Sequence, residues 1–329
     1  MYTFLWLLQR LIRRTVKFAK IDKNMAIYKY QLDEKSFKVC EFSENISVLN
    51  DYKKPNQYHN QIIKLFNLVV NPKTGVIWYK KSILRESTTY TIDKLLIWEP
   101  IPYFSQVIKG CTINLADNGF YHTIIEELPR LLESLNCEPK AQVIIGSKEK
   151  YVYDILHLLK IKKIIYKPYP VQCEELILSE KTQGGIFSEY DLKLLLNFSF
   201  GIQPNNIGEI LFVKRRNQTK GYYDRGIQYD SIITEIFRGL GAKIIYLEDL
   251  ALMDQIALIK SVRVLIGFHG AGLANLIWIN KSAKIIEITE SRLTGHFGHI
   301  SAICKHEYRR VQASELILYS PMQVLELIS

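Results

Sequence analysis

From Asp117 onward the chain alternates short runs of branched apolar residues with segments whose apolar residues recur every third or fourth position. The runs suit buried strands and the periodic segments suit amphipathic helices, so the alternation predicts an α/β fold on mainly parallel sheets. Expected helices cover Phe120 to Leu135, Lys150 to Leu159, Glu189 to Phe200, Tyr229 to Leu240 and Met253 to Lys260, with others near Gly298 to Cys304 and from Pro321. Expected strands include Gln142 to Gly146, Lys163 to Tyr166, Leu176 to Leu178, Glu209 to Val213, Lys243 to Leu247, Val262 to Ile266, Lys284 to Ile288 and a short one at Tyr308 to Val311.

Between two of those strands lies Gly267-Phe268-His269-Gly270-Ala271-Gly272-Leu273-Ala274-Asn275. Glycines keep backbone N–H groups unobstructed and a helix start supplies further unpaired donors, which suits a phosphate. His269 adds a side chain that changes charge near neutrality. A tight strand-to-helix turn with a buried, satisfied histidine fits the same residues.

At 329 residues the chain has room for about two domains. Apolar residues at 48% and charged ones at 23% are ordinary for globular proteins and argue against long disorder. Lys and Arg number 43 against 33 Asp and Glu, and the resulting +10 favours anionic partners. The excess is spread along the chain without an RNA-binding or zinc-finger signature, so nucleic acid is the least supported of them. Five isolated cysteines, Cys40, Cys111, Cys137, Cys173 and Cys304, contain no C-x-x-C pair and read as reduced thiols of a cytosolic protein.

Met1 to Leu8 is apolar, but Gln9-Arg10 interrupts it, Arg13, Arg14, Lys17 and Lys20 follow, and no 18-residue apolar span exists. Positive charge after the apolar stretch also argues against a signal peptide. Phe4, Leu7, Leu8, Leu11 and Ile12 fall at helical spacing, as in a basic amphipathic helix on anionic lipid or an ordinary surface helix. Residues 25 to about 110 read as short strands and irregular structure. Gly201-Ile202-Gln203-Pro204-Asn205-Asn206 is the best linker. The expected division is therefore a basic segment 1–24, an N-terminal domain 25–200 and a C-terminal domain 207–329, with the last helix free to pack back on the N-terminal domain.

Ligands of open parallel sheets bind beyond the carboxyl ends of the strands. The glycine turn occupies that edge, and so does Lys214 to Arg225, a loop with five cations directly after a strand. Arginine's planar fork suits bidentate phosphate contacts, although such a loop can also be merely solvated. In Asn118 to Arg130, His122 and Glu126 are four apart on one helical face. Glu126 is a candidate general base there, or an acid favoured by the helix dipole, as preferred for Glu127. No convincing Asp-x-Asp, H-E-x-x-H, G-x-S-x-G or Walker-type motif occurs.

Three blocks resemble glycosyltransferase family 61, a group of inverting transferases that includes capsular polysaccharide biosynthesis proteins. They are Asn118 to Leu131, with Tyr121-His122, Glu126 and Pro129-Arg130-Leu131; Leu211 to Arg225; and Leu247 to Ile288, with Asp254-Gln255, His269-Gly270-Ala271-Gly272, Asn275 and Glu287. The chain departs from the family at Lys214, where Ser is common, and lacks its Asn-Glu around Gln228.

The resemblance implies a GT-B-like architecture, two Rossmann-like domains facing across a cleft, with no essential metal or cofactor. It implies that Arg215, Arg225, His269, Gly270, Ala271, Gly272 and Asn275 bind a nucleotide-sugar donor, UDP-linked by family habit, with Glu287 at or near the ribose. Glu126 becomes the base, with His122 orienting it or touching the sugar. The expected function is inverting, metal-independent transfer to the hydroxyl of a glycan or lipid-linked glycan in surface polysaccharide synthesis. The expected location is cytoplasmic, with peripheral membrane contact through residues 1–20. The other reading is a non-catalytic nucleotide-sugar or glycan-binding component of a polysaccharide assembly.

Overall fold

The computed structural model describes residues 62–79, 82–84, 106–179, 187–206, 208–216, 225–291 and 295–329, and three strand segments at 17–19, 28–33 and 36–40. The chain forms two compact units, one of Met1–Asn118, Glu126–Glu149 and Lys160–Ile186, the other of Gly119–Ile125, Lys150–Leu159 and Phe187–Ser329.

The first unit contains strands β1 (Lys17–Ala19), β2 (Tyr28–Asp33), β3 (Ser36–Cys40), β4 (Ile62–Val70), β5 (Ile77–Tyr79), β6 (Ser82–Leu84), β7 (Val107–Leu115), β8 (Gln142–Ile145), β9 (Ile164–Tyr166) and β10 (Val171–Ser179). They make one sheet in the order β1-β6-β5-β4-β10-β7-β8-β9, with β2 and β3 attached beside β4. Strands β10, β7, β8 and β9 are parallel, whereas β4, β5 and β6 pair antiparallel. Connections of a few residues permit only hairpins, so the sheet is mixed where the sequence offers no crossover helix. Lys17–Ala19, at the end of the segment expected to be an amphipathic helix, pairs in parallel with Ser82–Leu84 as a strand. Residues 1–16 of that segment lie outside the described residues.

The expected helix at Phe120 to Leu135 is three pieces: a turn at Phe120–His122, a π-helical turn at Thr123–Glu127 and helix α1 at Leu128–Cys137. Pro129 cannot donate to the carbonyl four residues back and its ring crowds that carbonyl; the wider π-turn just ahead accommodates both constraints. Helix α1 packs on β4, β7 and β10. Its buried Arg130 donates to the Ser179 carbonyl (3.0 Å) and to Glu127 (3.3 Å), while Ser179 Oγ donates to Glu133.

The second unit is built on β11 (Ile210–Lys214), β12 (Lys243–Tyr246), β13 (Val264–Phe268), β14 (Lys284–Thr289) and β15 (Glu307–Gln312). All are parallel, in the order β12-β11-β13-β14-β15. This is a doubly wound sheet whose strand order reverses between β11 and β13. One face packs on Ile233 and Phe237 of the helix Asp230–Gly239 and on Val324, Leu327 and Ile328 of the terminal helix Pro321–Ile328. The terminal helix, which was expected to be free to pack back on the N-terminal domain, therefore covers its own unit's sheet. Its apolar residues at i, i+3 and i+4 form a stripe that this face buries.

The helices Lys150–Leu158 and Glu189–Phe198, expected in the N-terminal domain, group with the second unit. Asp154 accepts a hydrogen bond from the Leu252 N–H (2.8 Å), satisfying a donor at the start of the helix Leu252–Ile259. His299 Nε2 meets the carbonyl oxygen of the wholly buried Phe187 at 2.9 Å. The loop Gly201 to Asn206 accordingly lies inside the second unit. Among the described residues no helix is long and apolar enough to cross a membrane.

Candidate functional site

The strand-order reversal puts the carboxyl ends of β11 and β13 side by side, with Val213 opposite Gly267. Chains leaving such neighbours diverge to opposite faces and open a crevice, the usual ligand site of this topology. Arg215 follows β11, and His269-Gly270-Ala271-Gly272 follows β13.

These two segments are in close approach. A Cβ added at Gly270 would lie 2.9 Å from Arg215 Nη1 and 3.4 Å from its Cδ, so the arginine crosses a space only glycine leaves open. At Gly272 an added Cβ would come within 3.1 Å of Val213 Cγ1, which seats the turn on β11. A 3-10 helix, Ala271–Trp278, begins immediately, with its first return bond from Leu273 N–H to the Gly270 carbonyl (3.0 Å). The N–H groups of Ala271 and Gly272 precede that bond, at the electropositive end of the helix. A guanidinium, an imidazole and a helix start thus meet at one strand edge, an arrangement suited to an anion.

Two other cations of the basic loop make ion pairs. Lys214 pairs with Asp230 at 2.6 Å. Arg216 grips Asp249 through Nε (2.9 Å) and Nη2 (2.5 Å) and lies over the Tyr246 ring. Lys220 is outside the described residues, and Arg225 stands beside Gly226, whose positive φ is 76° and which packs against Ala313 and Glu290, just past the ends of β15 and β14.

His269 is held from below. In a parallel sheet, residues in register share a face, and Gly267, Glu287 and Arg310 form one row across β13, β14 and β15. Two residues along each strand on the same face stand His269 and Tyr308. Glu287 Oε1 accepts from His269 Nδ1, and its Oε2 accepts from Tyr308 Oη and from Arg310 Nε at 3.1 Å. Burial alone would raise the Glu287 carboxyl, but the hydrogen bonds from His269 and Tyr308, with the charges of His269 and Arg310, hold it below the ordinary carboxylate range. Burial, reinforced by Glu287, pushes the Tyr308 phenol up.

The profile of the family described as Glycosyltransferase 61 matches residues 120–286, half of the chain. The chain belongs to glycosyltransferase family 61. Its matched region contains both strands of the crevice and the complete glycine turn. Among solved structures, the dodecameric iron-containing heptosyltransferase TibC, determined in complex with ADP-D-beta-D-heptose, aligns at 9% identity over 88% of this chain and 78% of that one, with a TM-score of 0.31. At that score it adds nothing to the fold described above. No curated protein sequence matches the chain.

In this transferase Arg215 meets the turn His269-Gly270-Ala271-Gly272 at Gly270. His122 belongs to the same unit: Tyr121 packs against it, against His296 and against Phe297, and Phe297 lies edge-on to His269 at 5.3 Å. Glu126 follows on the π-turn but belongs to the first unit, and it is buried.

Two of the expected donor contacts are bonded within the protein. Asn275 has no exposed surface and donates to Gln255 (3.3 Å) and the Gly272 carbonyl (3.2 Å), so it braces the turn from behind. Glu287 also has no exposed surface and is bonded to His269, Tyr308 and Arg310. Tyr308 and Arg310 were missed altogether. Their signal was the alternate placement of two hydrogen-bonding side chains on a strand next to one with an inward glutamate, visible only once the register is known. Among the described residues no three His, Cys, Asp or Glu side chains gather as a metal-ligand set.

Proposed function

We propose that this family 61 transferase moves a sugar from a nucleotide diphosphate to a hydroxyl acceptor with inversion and without a metal. The observation that carries the reading is the crossing of Arg215 over Gly270 beside His269 at the β11/β13 reversal. Arg215, His269 and the Ala271 and Gly272 N–H groups would receive the diphosphate, with Arg225 at the neighbouring loop. Glu126 takes the acceptor's hydroxyl proton, the freed oxygen attacks the anomeric carbon, and the bond from that carbon to the diphosphate oxygen breaks with its electron pair leaving on the nucleotide. Fixed cations and N–H groups aimed at the leaving oxygens stabilise the charge that develops there.

UDP is the first donor nucleotide to try, by family resemblance, and surface polysaccharide is the setting we favour for the acceptor. A peripheral place on the inner face of the cell membrane belongs to the same proposal, supported by the basic, apolar composition of residues 1–20.

A thermal-shift screen across nucleotide sugars identifies the donor, because a ligand of the native state raises apparent stability. Transfer is then followed with chelator present, by nucleotide release and by the anomeric configuration of the product. A requirement for added metal overturns metal independence, and a product that keeps the donor's anomeric configuration overturns inversion. Donor binding with no transfer to any glycan or lipid-linked acceptor favours the non-catalytic reading.

Replacing Gly270 by alanine isolates the phosphate site. The new Cβ meets only the far end of Arg215, a flexible side chain, so the fold should survive while the guanidinium is displaced. UDP affinity should fall about tenfold, the worth of one charge-assisted hydrogen bond. Unchanged affinity by calorimetry would remove Arg215 from the site.

A further inference from the structure

Glu287 offers two oxygens and spends them unequally. Oε1 serves His269 alone, whereas Oε2 takes both Tyr308 Oη and Arg310 Nε, and Arg310 Nε also lies 3.2 Å from Tyr308 Oη. Tyr308 is fixed in turn: a Cβ at Gly298, on the helix His296–Cys304, would fall 3.1 Å from Tyr308 Cε1, so the helix rests on the tyrosine ring where it has no side chain. The carboxylate therefore cannot turn toward solvent, and its free edge is presented to His269 Nδ1. Which imidazole nitrogen carries the proton is set by the hydrogen bond the other makes. With Nδ1 committed, Nε2 on the opposite side of the ring is the atom left for a ligand. It accepts hydrogen bonds when the ring is neutral and donates them when it is charged.

We propose that Tyr308 and Arg310 are positioning residues which, through Glu287, fix the orientation and tautomer of His269 so that its Nε2 is the atom presented to a bound diphosphate. The identity of the ligand rests on the transferase reading; the relay itself does not. Among the described residues, Arg215 across Gly270, the Phe297 ring, and His296, His122 and Tyr121 in the aromatic group packed on Phe297 also stand near His269. The carboxylate bonded to His269 is that of Glu287.

The test is histidine-selective ¹⁵N NMR of the full chain. The His269 signals are assigned by their loss in His269→Gln and followed against pH with and without inorganic pyrophosphate. In the wild type, neutral His269 should be the Nδ1–H tautomer. Tyr308→Phe and Arg310→Gln should move part of the population to the Nε2–H tautomer and weaken pyrophosphate binding severalfold, and Arg310→Lys should restore part of both. If Tyr308→Phe and Arg310→Gln keep native spectra elsewhere and leave the His269 tautomer unchanged, the relay is overturned. If the tautomer moves as stated but the wild type binds no pyrophosphate, the relay stands and the donor-site reading falls.

Discussion

Glu126→Gln is expected to reduce sugar transfer by about a thousandfold, within the range a positioned general base contributes, while leaving UDP affinity unchanged. Glutamine keeps the size of the side chain and removes the group that accepts a proton. The position is a demanding one, because Glu126 is buried on a π-turn that Pro129 helps to impose, and π-turns inside helices recur at functional sites. A small loss of turnover would transfer the role of base to another residue. A parallel loss of UDP binding would mean that the substitution disturbs the turn rather than the chemistry. Measuring single-turnover rates and calorimetric affinity on the same preparation separates these outcomes.

Glu287→Gln is expected to lower folding stability by about 3 kcal/mol near neutral pH, the usual cost of removing one partner from a buried charged cluster. Glutamine's carbonyl oxygen can still accept from Tyr308 and Arg310, but its NH2 then faces His269 Nδ1 where a carboxylate oxygen accepted, and the negative charge that balanced Arg310 is gone. The deficit should depend on pH. Glu287 is held below its ordinary value of 4.5, so in the wild type its contribution is fully present above that pH and is lost as the pH falls through the lower folded-state value. Urea unfolding of both proteins from pH 7 to pH 3 should give curves that differ most above pH 4.5 and converge in acid. A difference that stays constant with pH would mean that Glu287 acts through shape rather than charge.

Much of this was legible in the amino-acid sequence. The strands Gln142–Ile145 and Lys284–Thr289 and the helix Asp230–Gly239 lie within a residue or two of their expected positions. Each is written in a run of neighbours whose apolar period matches its own geometry. The glycine turn was legible for the same reason. What the sequence did not carry was any partner distant in the chain. Asn275 and Glu287 read as ligand contacts because they are polar residues in a conspicuous motif, and only packing shows the bonds that tie one to the turn and the other to the histidine. The units divided differently from the linker at Gly201 to Asn206 because the packing of Phe187 and the bond from Leu252 to Asp154 join segments far apart in the chain.

By itself the sequence determined the α/β class, the position of the glycine turn and the residue types available to it, since these depend on local periodicity, backbone freedom and charge. The tertiary structure alone decided that β11 and β13 are neighbours, that Arg215 crosses Gly270 and that Glu287, Tyr308 and Arg310 share one face beneath His269. Strand order and register are set by which apolar faces bury each other, a property of the whole sheet that no single stretch of sequence contains.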